Sequence, residues 1–305
     1  MPIVFRLGTR GSPLALTQAN MVRDALVAAH GWRPEQVEIV TVRTTGDRVQ
    51  DRALAEIGGK ALWTKELDRA LLDGDIDCAV HSMKDVETLR PESIAIAAML
   101  PRADVRDRIV GAVSVTALRE GAVVGTSSPR RKAQLLKLRP DLKIVLFRGN
   151  VDTRLAKLAA GEADATLLAA AGLLRLGRDE VGHDIPVDTM LPAPSQGAVG
   201  IECRAGDRNT RALIAAIDHP ATHACVDAER ALLAALNADC HSPVGATATI
   251  EGAILTLRAE LLAEDGSAFV HAQESGAPGD AALPVSVAQD LLARAPEGVR
   301  ALFGG

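Results

Sequence analysis

The 305-residue sequence has no tyrosine, and aromatic residues make up only 2% of it. That scarcity argues against a ligand gripped by ring stacking, as in binders of single-stranded nucleic acid. A net charge of -5 provides no overall basic footprint, so a general nucleic-acid binder is not expected either. Lysine is scarce too: 7 of the 34 cations are Lys, and the other 27 are Arg. The four cysteines, Cys78, Cys203, Cys225 and Cys240, form no C-x-x-C pair, which leaves no zinc or thioredoxin-like pattern. No apolar run reaches the length of a transmembrane helix, and the opening Met1-Pro-Ile-Val-Phe-Arg6 meets a charge too early for a secretory signal core. A cytoplasmic chain with free thiols is the expectation.

What is present is ample apolar material. Hydrophobic residues make up 48% of the chain, enough for the cores of two or three domains. The first two thirds alternate short apolar strands with helical stretches: strands at 3–7, 37–42, 76–80, 122–125, 143–147 and 165–168, helices at 14–29, 64–72, 130–138 and 151–160. Such alternation predicts parallel sheets with crossover helices, an α/β class. Two passages echo each other. Strand, Thr9-Arg-Gly-Ser-Pro13 and helix are repeated as strand, Thr126-Ser-Ser-Pro-Arg-Arg131 and helix. Leu71-Leu-Asp-Gly-Asp-Ile-Asp77 parallels Leu158-Ala-Ala-Gly-Glu-Ala-Asp164, each a helix end, a Gly stop and an Asp leading into a strand. This reads as two similar α/β lobes with a cleft between them. The last third differs: a helix at 219–236, strands at 246–250, 253–262 and 268–273 joined by Glu251-Gly252 and Asp265-Gly266, then a helix near 285–294. That is an antiparallel meander in a small separate α+β domain.

Charge is unevenly placed. From Thr126 to Arg154 there are eight cations (Arg130, Arg131, Lys132, Lys137, Arg139, Lys143, Arg148, Arg154) against Asp141 and Asp152, a local balance of 8 minus 2, or +6. Ser12 and Ser128 are good N-caps with Pro13 and Pro129 at the first helical position. A helix N-terminus attracts anions, and an Arg beside one calls for something negative. Plain capping and an anion site both remain open here. Asp77-Cys-Ala-Val-His-Ser-Met-Lys-Asp85 is a buried strand running into a polar cluster. Asp85 is either an acid for proton chemistry and for stabilising a cationic intermediate, or half of a surface pair with Lys84. His81 reads as a structural histidine. Cys78, Cys203 and Cys225 fall in regular elements; Cys240 alone lies in an evident loop, the best candidate for covalent chemistry.

Taken in order, nine stretches resemble the porphobilinogen deaminase family over nearly the whole chain. They are Thr9-Arg-Gly-Ser-Pro-Leu-Ala-Leu16, Ile57-Gly-Gly-Lys-Ala-Leu-Trp63, Ala79-Val-His-Ser-Met-Lys-Asp-Val86, Val124-Gly-Thr-Ser-Ser-Pro-Arg-Arg131, Leu146-Phe-Arg-Gly-Asn-Val151, Ala171-Gly-Leu-Leu-Arg-Leu-Gly177, Gln196-Gly-Ala-Val-Gly-Ile-Glu-Cys-Arg204, Ala228-Glu-Arg230 and Cys240-His-Ser-Pro-Val-Gly245. The resemblance implies two lobes like those of type II periplasmic binding proteins plus a C-terminal α+β domain. It divides the chain into a discontinuous first domain (1–99 and 197–217), a second (100–196) and a third (218–305). It implies a transferase that deaminates porphobilinogen and joins four units head to tail on a covalent dipyrromethane, releasing hydroxymethylbilane.

On this resemblance Cys240 carries the cofactor by thioether and Asp85 is the catalytic acid. Arg10, Arg130, Arg131, Arg148, Arg154 and Arg175 line the cleft against acetate and propionate groups. Ser12, Gln18, Lys60, Ser82, Lys84, Thr126, Ser127, Ser128 and Arg204 are further contacts. Porphobilinogen is the expected partner, with no nucleic acid, membrane or metal, and the expected state is a monomer. Glu87 stands where family members often have Pro, Trp63 where Phe is common, Glu56 where some have Lys, and Ala238-Asp239 where Gly-Gly is usual. A non-catalytic two-lobed binder of an anionic solute is the rival reading; it needs neither Asp85 nor Cys240. A transcriptional effector-sensing pair of lobes would need a helix-turn-helix region, and the sequence begins instead on the first lobe's strand.

Overall fold

The computed structural model describes residues 5–43 and 64–303. The stretch 57–63 with Lys60 and Trp63, and the departure at Glu56, lie outside them.

The first lobe opens with strand β1 (Phe5–Arg10), helix α1 (Pro13–His30) and strand β2 (Val37–Val42). Ser12 starts α1 as expected, its Oγ accepting from the Ala15 N–H at 3.3 Å, and Gly31 stops it in a left-handed conformation that L side chains avoid. Helix α2 (Lys65–Leu72), strand β3 (Cys78–Ser82) and strand β4 (Ile94–Met99) follow. Strand β1 pairs in parallel with both β2 and β3.

The second lobe begins with β5 (Asp107–Val110) and β6 (Val123–Gly125), then α3 (Pro129–Leu138), β7 (Lys143–Val145), α4 (Val151–Ala159), β8 (Ala165–Ala169), α5 (Ala170–Arg175) and the short β9 (His183–Asp184). The chain then returns as β10 (Val199–Arg204) and α6 (Arg208–Ala215). The two sheets have the orders β2-β1-β3-β10-β4 and β7-β6-β8-β5-β9. Both place a first strand between its second and third in parallel, then add an antiparallel strand. That added strand is in each case the first one after the chain has changed lobes: β5 on leaving, β10 on returning.

The last third is helix α7 (Pro220–Ala235), the antiparallel meander β11 (Val244–Glu251), β12 (Ile254–Leu262) and β13 (Phe269–Gly276), and helices α8 (Ala282–Arg294) and α9 (Glu297–Arg300). Its core is separate, built from residues such as Leu232, Leu236, Leu257, Leu261, Val287 and Leu291. The chain divides into two compact units, Met1–Ala103 with Gly197–His223 and Asp104–Gln196 with Ala224–Gly305.

The echoed passages have matching roles. The Asp77 N–H donates to Arg6 O at 2.8 Å, and its carboxylate accepts from the Arg6 N–H at 2.7 Å. The Asp164 N–H donates to Val123 O at 2.8 Å, and its carboxylate accepts from the Val123 N–H at 2.6 Å. In each lobe an Asp after the Gly stop pins the incoming third strand to the start of the first. Six elements had no counterpart in the sequence reading: β4, β5, β9, α5, α6 and α9. The strand expected over 143–147 ends at Val145, and Phe147 packs instead against Gly125, where a Cβ would lie 2.3 Å from its ring.

Candidate active site

The carboxyl ends of the neighbouring parallel strands β1 and β3 open into one recess of the first unit. Arg10, Ser12, Gln18, His81, Ser82 and Asp85 line it. Such ends are where open α/β sheets bind ligands. Buried Gln18 reaches from α1 to β3, its Nε2 2.8 Å and its Oε1 3.2 Å from Ser82 Oγ. Lys84 and Asp85, both half-buried, belong to a single 3-10 turn, Met83–Asp85. The turn is fixed by its first residue: the Met83 N–H donates to Ala198 O at 3.1 Å, and the Val86 N–H closes onto Met83 O at 3.2 Å. Met83, 1% exposed, fills the space left by Gly200 of β10, where a Cβ would lie 2.1 Å from the Met83 Sδ.

Behind this turn lies a charged network that the sequence reading missed. Glu202 of β10 is fully buried, with His81 Nε2 3.2 Å from its Oε2. Arg90 grips both Glu202 oxygens, Nε to Oε1 at 2.8 Å and Nη2 to Oε2 at 2.9 Å, and donates from Nη1 to Glu87 at 2.6 Å. It also pairs with Asp68, and Thr64 donates to the other Glu87 oxygen. Burial alone would raise the Glu202 carboxyl, but His81 and Arg90 outweigh it and hold it down to about 2. His81 is thus a buried histidine set against the Glu202 carboxylate, its Nε2 making no hydrogen bond among the described residues. A lone charge inside the apolar run Val199-Gly-Ile-Glu202 was the available signal, because a buried carboxylate requires a cation.

In the second unit β7, β6 and β8 are parallel neighbours, so their carboxyl ends bring Arg148, the Thr126-Ser-Ser128 segment and, through α5, Arg175 to one edge. Ser128 caps α3, accepting from the Arg131 N–H at 3.4 Å. Arg154 donates to Ser127 Oγ at 3.3 Å and Gly149 O at 3.1 Å. Arg148 is buried, and burial lowers the Arg175 guanidinium to about 10.

Arg130 and Arg131 are buried and converge on Asp107, the first residue of β5, at 2.8 and 2.7 Å. Burial would raise the Asp107 carboxyl; the two guanidinium groups instead hold it well below the usual carboxylate range. Two cations thus share one anion, and neither Arg130 Nε nor Arg131 Nε has a hydrogen-bond partner among the described residues. Buried N–H groups left over at a doubly cationic site fit an anionic ligand such as the carboxylates of a dipyrromethane.

Cys240 is exposed, whereas Cys78, Cys203 and Cys225 are buried. Burial pushes the Cys78 thiol up and the Cys203 thiol to about 11, which makes both poor nucleophiles. Asn237, in a left-handed conformation, ends the preceding helical segment. Asp239 then folds the chain around Cys240: its carboxylate accepts from the His241 N–H at 2.8 Å and its carbonyl from the Ser242 N–H at 3.1 Å. The Ala238-Asp239 departure therefore supplies a buried anchor and a turn bracket in place of two glycines.

Arg204 is the one described candidate that the structure takes elsewhere. Strand β10 runs antiparallel to β3, with Val199 opposite Ser82 and Cys203 opposite Cys78. Arg204 thus sits at the far end from Asp85. There it donates to Leu71 O at 2.7 Å, Ile76 O at 2.9 Å and Asp207 at 2.8 Å, tying the end of α2 to β3.

Residues 5–212 match the family model described as "Porphobilinogen deaminase, dipyromethane cofactor binding domain", and residues 223–293 match "Porphobilinogen deaminase, C-terminal domain". The chain belongs to the porphobilinogen deaminase family. A porphobilinogen deaminase from Sphingopyxis alaskensis is 57% identical over 98% of this chain and 96% of that protein. One from Paracoccus denitrificans is 51% identical over 96% and 95%. Among solved structures, a periplasmic substrate-binding protein of an ABC transporter from Coxiella burnetii aligns with a TM-score of 0.42 at 17% identity, over 72% of this chain and 94% of that one. Among the described residues, no helix is long and apolar enough to cross a membrane.

Proposed function

We propose that Asp85 is the catalytic acid and Cys240 the cofactor attachment point of a porphobilinogen deaminase, a transferase of tetrapyrrole biosynthesis. Four porphobilinogen molecules lose ammonia and are joined head to tail, and water releases hydroxymethylbilane. When bound, the dipyrromethane supplies the pyrrole end on which the chain grows. Thr126, Ser127, Ser128, Arg130, Arg131, Arg148, Arg154 and Arg175 hold its carboxylates and those of the growing product at the edge of the second sheet. In the first unit Arg10, Ser12, Gln18, Ser82 and Lys84 orient the incoming substrate, together with Lys60. The Asp85 carboxylate sits where positive charge develops as the amine departs, and moves the proton that the departing ammonia requires.

This reading keeps the three-domain division at 1–99 with 197–217, 100–196 and 218–305. It also keeps a monomer in the cytoplasm that binds porphobilinogen and neither nucleic acid nor membrane. Arg204 is left out of the site.

The observation that carries it is the meeting of Asp85, Arg10, Ser82 and Gln18 in one recess at the carboxyl ends of β1 and β3. Intact mass and turnover test it together. The purified chain should be heavier than its sequence by one dipyrromethane mapped to Cys240. Cys240→Ser should lose both the adduct and the activity. Asp85→Asn should fold and lose turnover by roughly 10²–10⁴-fold. A fully active protein with an unmodified Cys240 would sink the covalent attachment, and an unmodified chain without turnover would favour the solute-binder reading.

A further inference from the structure

We propose that Arg90 is a positioning residue for Asp85, fixing both flanks of the turn that presents it. The inference rests on the catalytic reading of Asp85 and adds what aims that side chain.

No described residue hydrogen-bonds the Asp85 carboxylate, so its direction is set by the backbone of residues 82–86. That short segment is bracketed by His81 on one side and Glu87 on the other. His81 stands against Glu202, Glu202 is gripped at both oxygens by Arg90, and Arg90 holds Glu87. Those contacts close a ring around the segment. The ring is moored to other elements: Glu202 belongs to β10, and Asp68 of α2 with adjoining Thr64 holds the outer side of the Arg90 and Glu87 pair. The Arg90 side chain is 8% exposed and that of Glu202 is 0% exposed, so water does not compete for the bonds between these two. One planar guanidinium fork serving three carboxylates is a geometry that an ammonium cannot reproduce. Glu87, standing where family members often have proline, is the residue that lets Arg90 reach the far flank.

A shift of about 1 Å at a reacting group costs on the order of a hundredfold in rate. Arg90→Lys keeps the charge but loses the fork, and should lower kcat by about ten- to a hundredfold with KM nearly unchanged. Glu87→Gln, at a less buried position, should fold like the parent and lower kcat by a smaller factor. The double variant Asp85→Asn with Arg90→Lys is the decisive comparison. If Arg90 acts through Asp85, the pair is no slower than Asp85→Asn alone. A purely structural Arg90 would lower the melting temperature and leave kcat per folded molecule intact.

Unchanged kcat in both Arg90→Lys and Glu87→Gln, or effects that multiply in the double variant, would overturn the inference while Asp85→Asn remains inactive. Should Arg90→Lys fail to fold, Glu87→Gln and its combination with Asp85→Asn decide by the same criteria. An active Asp85→Asn would remove the catalytic reading, and the inference with it.

Discussion

Replacing Asp107 by asparagine takes one negative charge from a point where two buried guanidinium groups converge. Asp107 is 1% exposed and accepts from Arg131 at 2.7 Å, Arg130 at 2.8 Å and Gln196 Nε2 at 2.9 Å. Asparagine preserves the outline but leaves two cations facing a neutral amide. Breaking one buried pair by removing a partner costs about 3–5 kcal/mol. Two pairs share this carboxylate, so that range is the least to expect, against a typical domain stability of about 5–15 kcal/mol.

Fluorescence is the wrong probe, because the only tryptophans, Trp32 and Trp63, both belong to the first unit. Hydrogen exchange in urea, read on β5, β6 and β8 peptides, reports on the second unit directly. The variant should lose protection there at much lower urea, with the first unit little changed. The pH dependence carries a sign. The folded Asp107 carboxyl is held below its unfolded value of 3.8, so its stabilisation is complete above that value and is lost as pH falls beneath it. Wild-type protection in the second unit should therefore fall in that acid range, and the variant should lack this component. A destabilisation under about 1 kcal/mol would refute the view that Asp107 holds these arginines, since a surface pair costs no more than that.

Gly200→Ala would place a Cβ 2.1 Å from Met83 Sδ and 3.2 Å from Met99 Sδ. The expected cost is about 1–3 kcal/mol of stability, together with reduced kcat because Met83 begins the Asp85 turn; thermal melts and steady-state kinetics check both. Arg204→Met should lower the melting temperature while leaving KM for porphobilinogen within about twofold, as its guanidinium holds Leu71 O and Ile76 O at the far end of the sheet. A large KM effect would return Arg204 to the site.

Local chemistry was the legible part. Ser12 and Ser128 cap the helices read for them, and Gly74 and Gly161 take positive φ after α2 and α4. The Asp77 and Asp164 echo marks the same backbone clamp in both lobes. These features act over a few residues, or repeat a motif visible as a repeat. Long-range pairing was not legible. Arg90 and Glu202 stand 112 residues apart and meet only because β10 inserts between β3 and β4. Asp107 shows no motif, since its partners come from α3 and from Gln196. Arg204 was misplaced for the same reason: strand direction decides which end of a sheet a residue occupies, and only the pairing with β3 reveals it.

That inserted strand gives the first lobe a timetable. Residues 5–99 supply four of its five strands, yet β3 and β4 do not touch until β10 arrives between them, after the whole second lobe has been synthesised. The contacts that fix the Asp85 turn from this side, Ala198 O, the Gly200 gap and Glu202, all lie on or just before the late strand. A nascent chain cut short of residue 198 holds Asp85, Arg10 and Gln18 but lacks the Ala198 carbonyl and the Gly200 gap that receive Met83. Loop closure over such a distance is slow, so within the first lobe the recess is the last part to close, and its order reports that the chain has passed through the second lobe and returned.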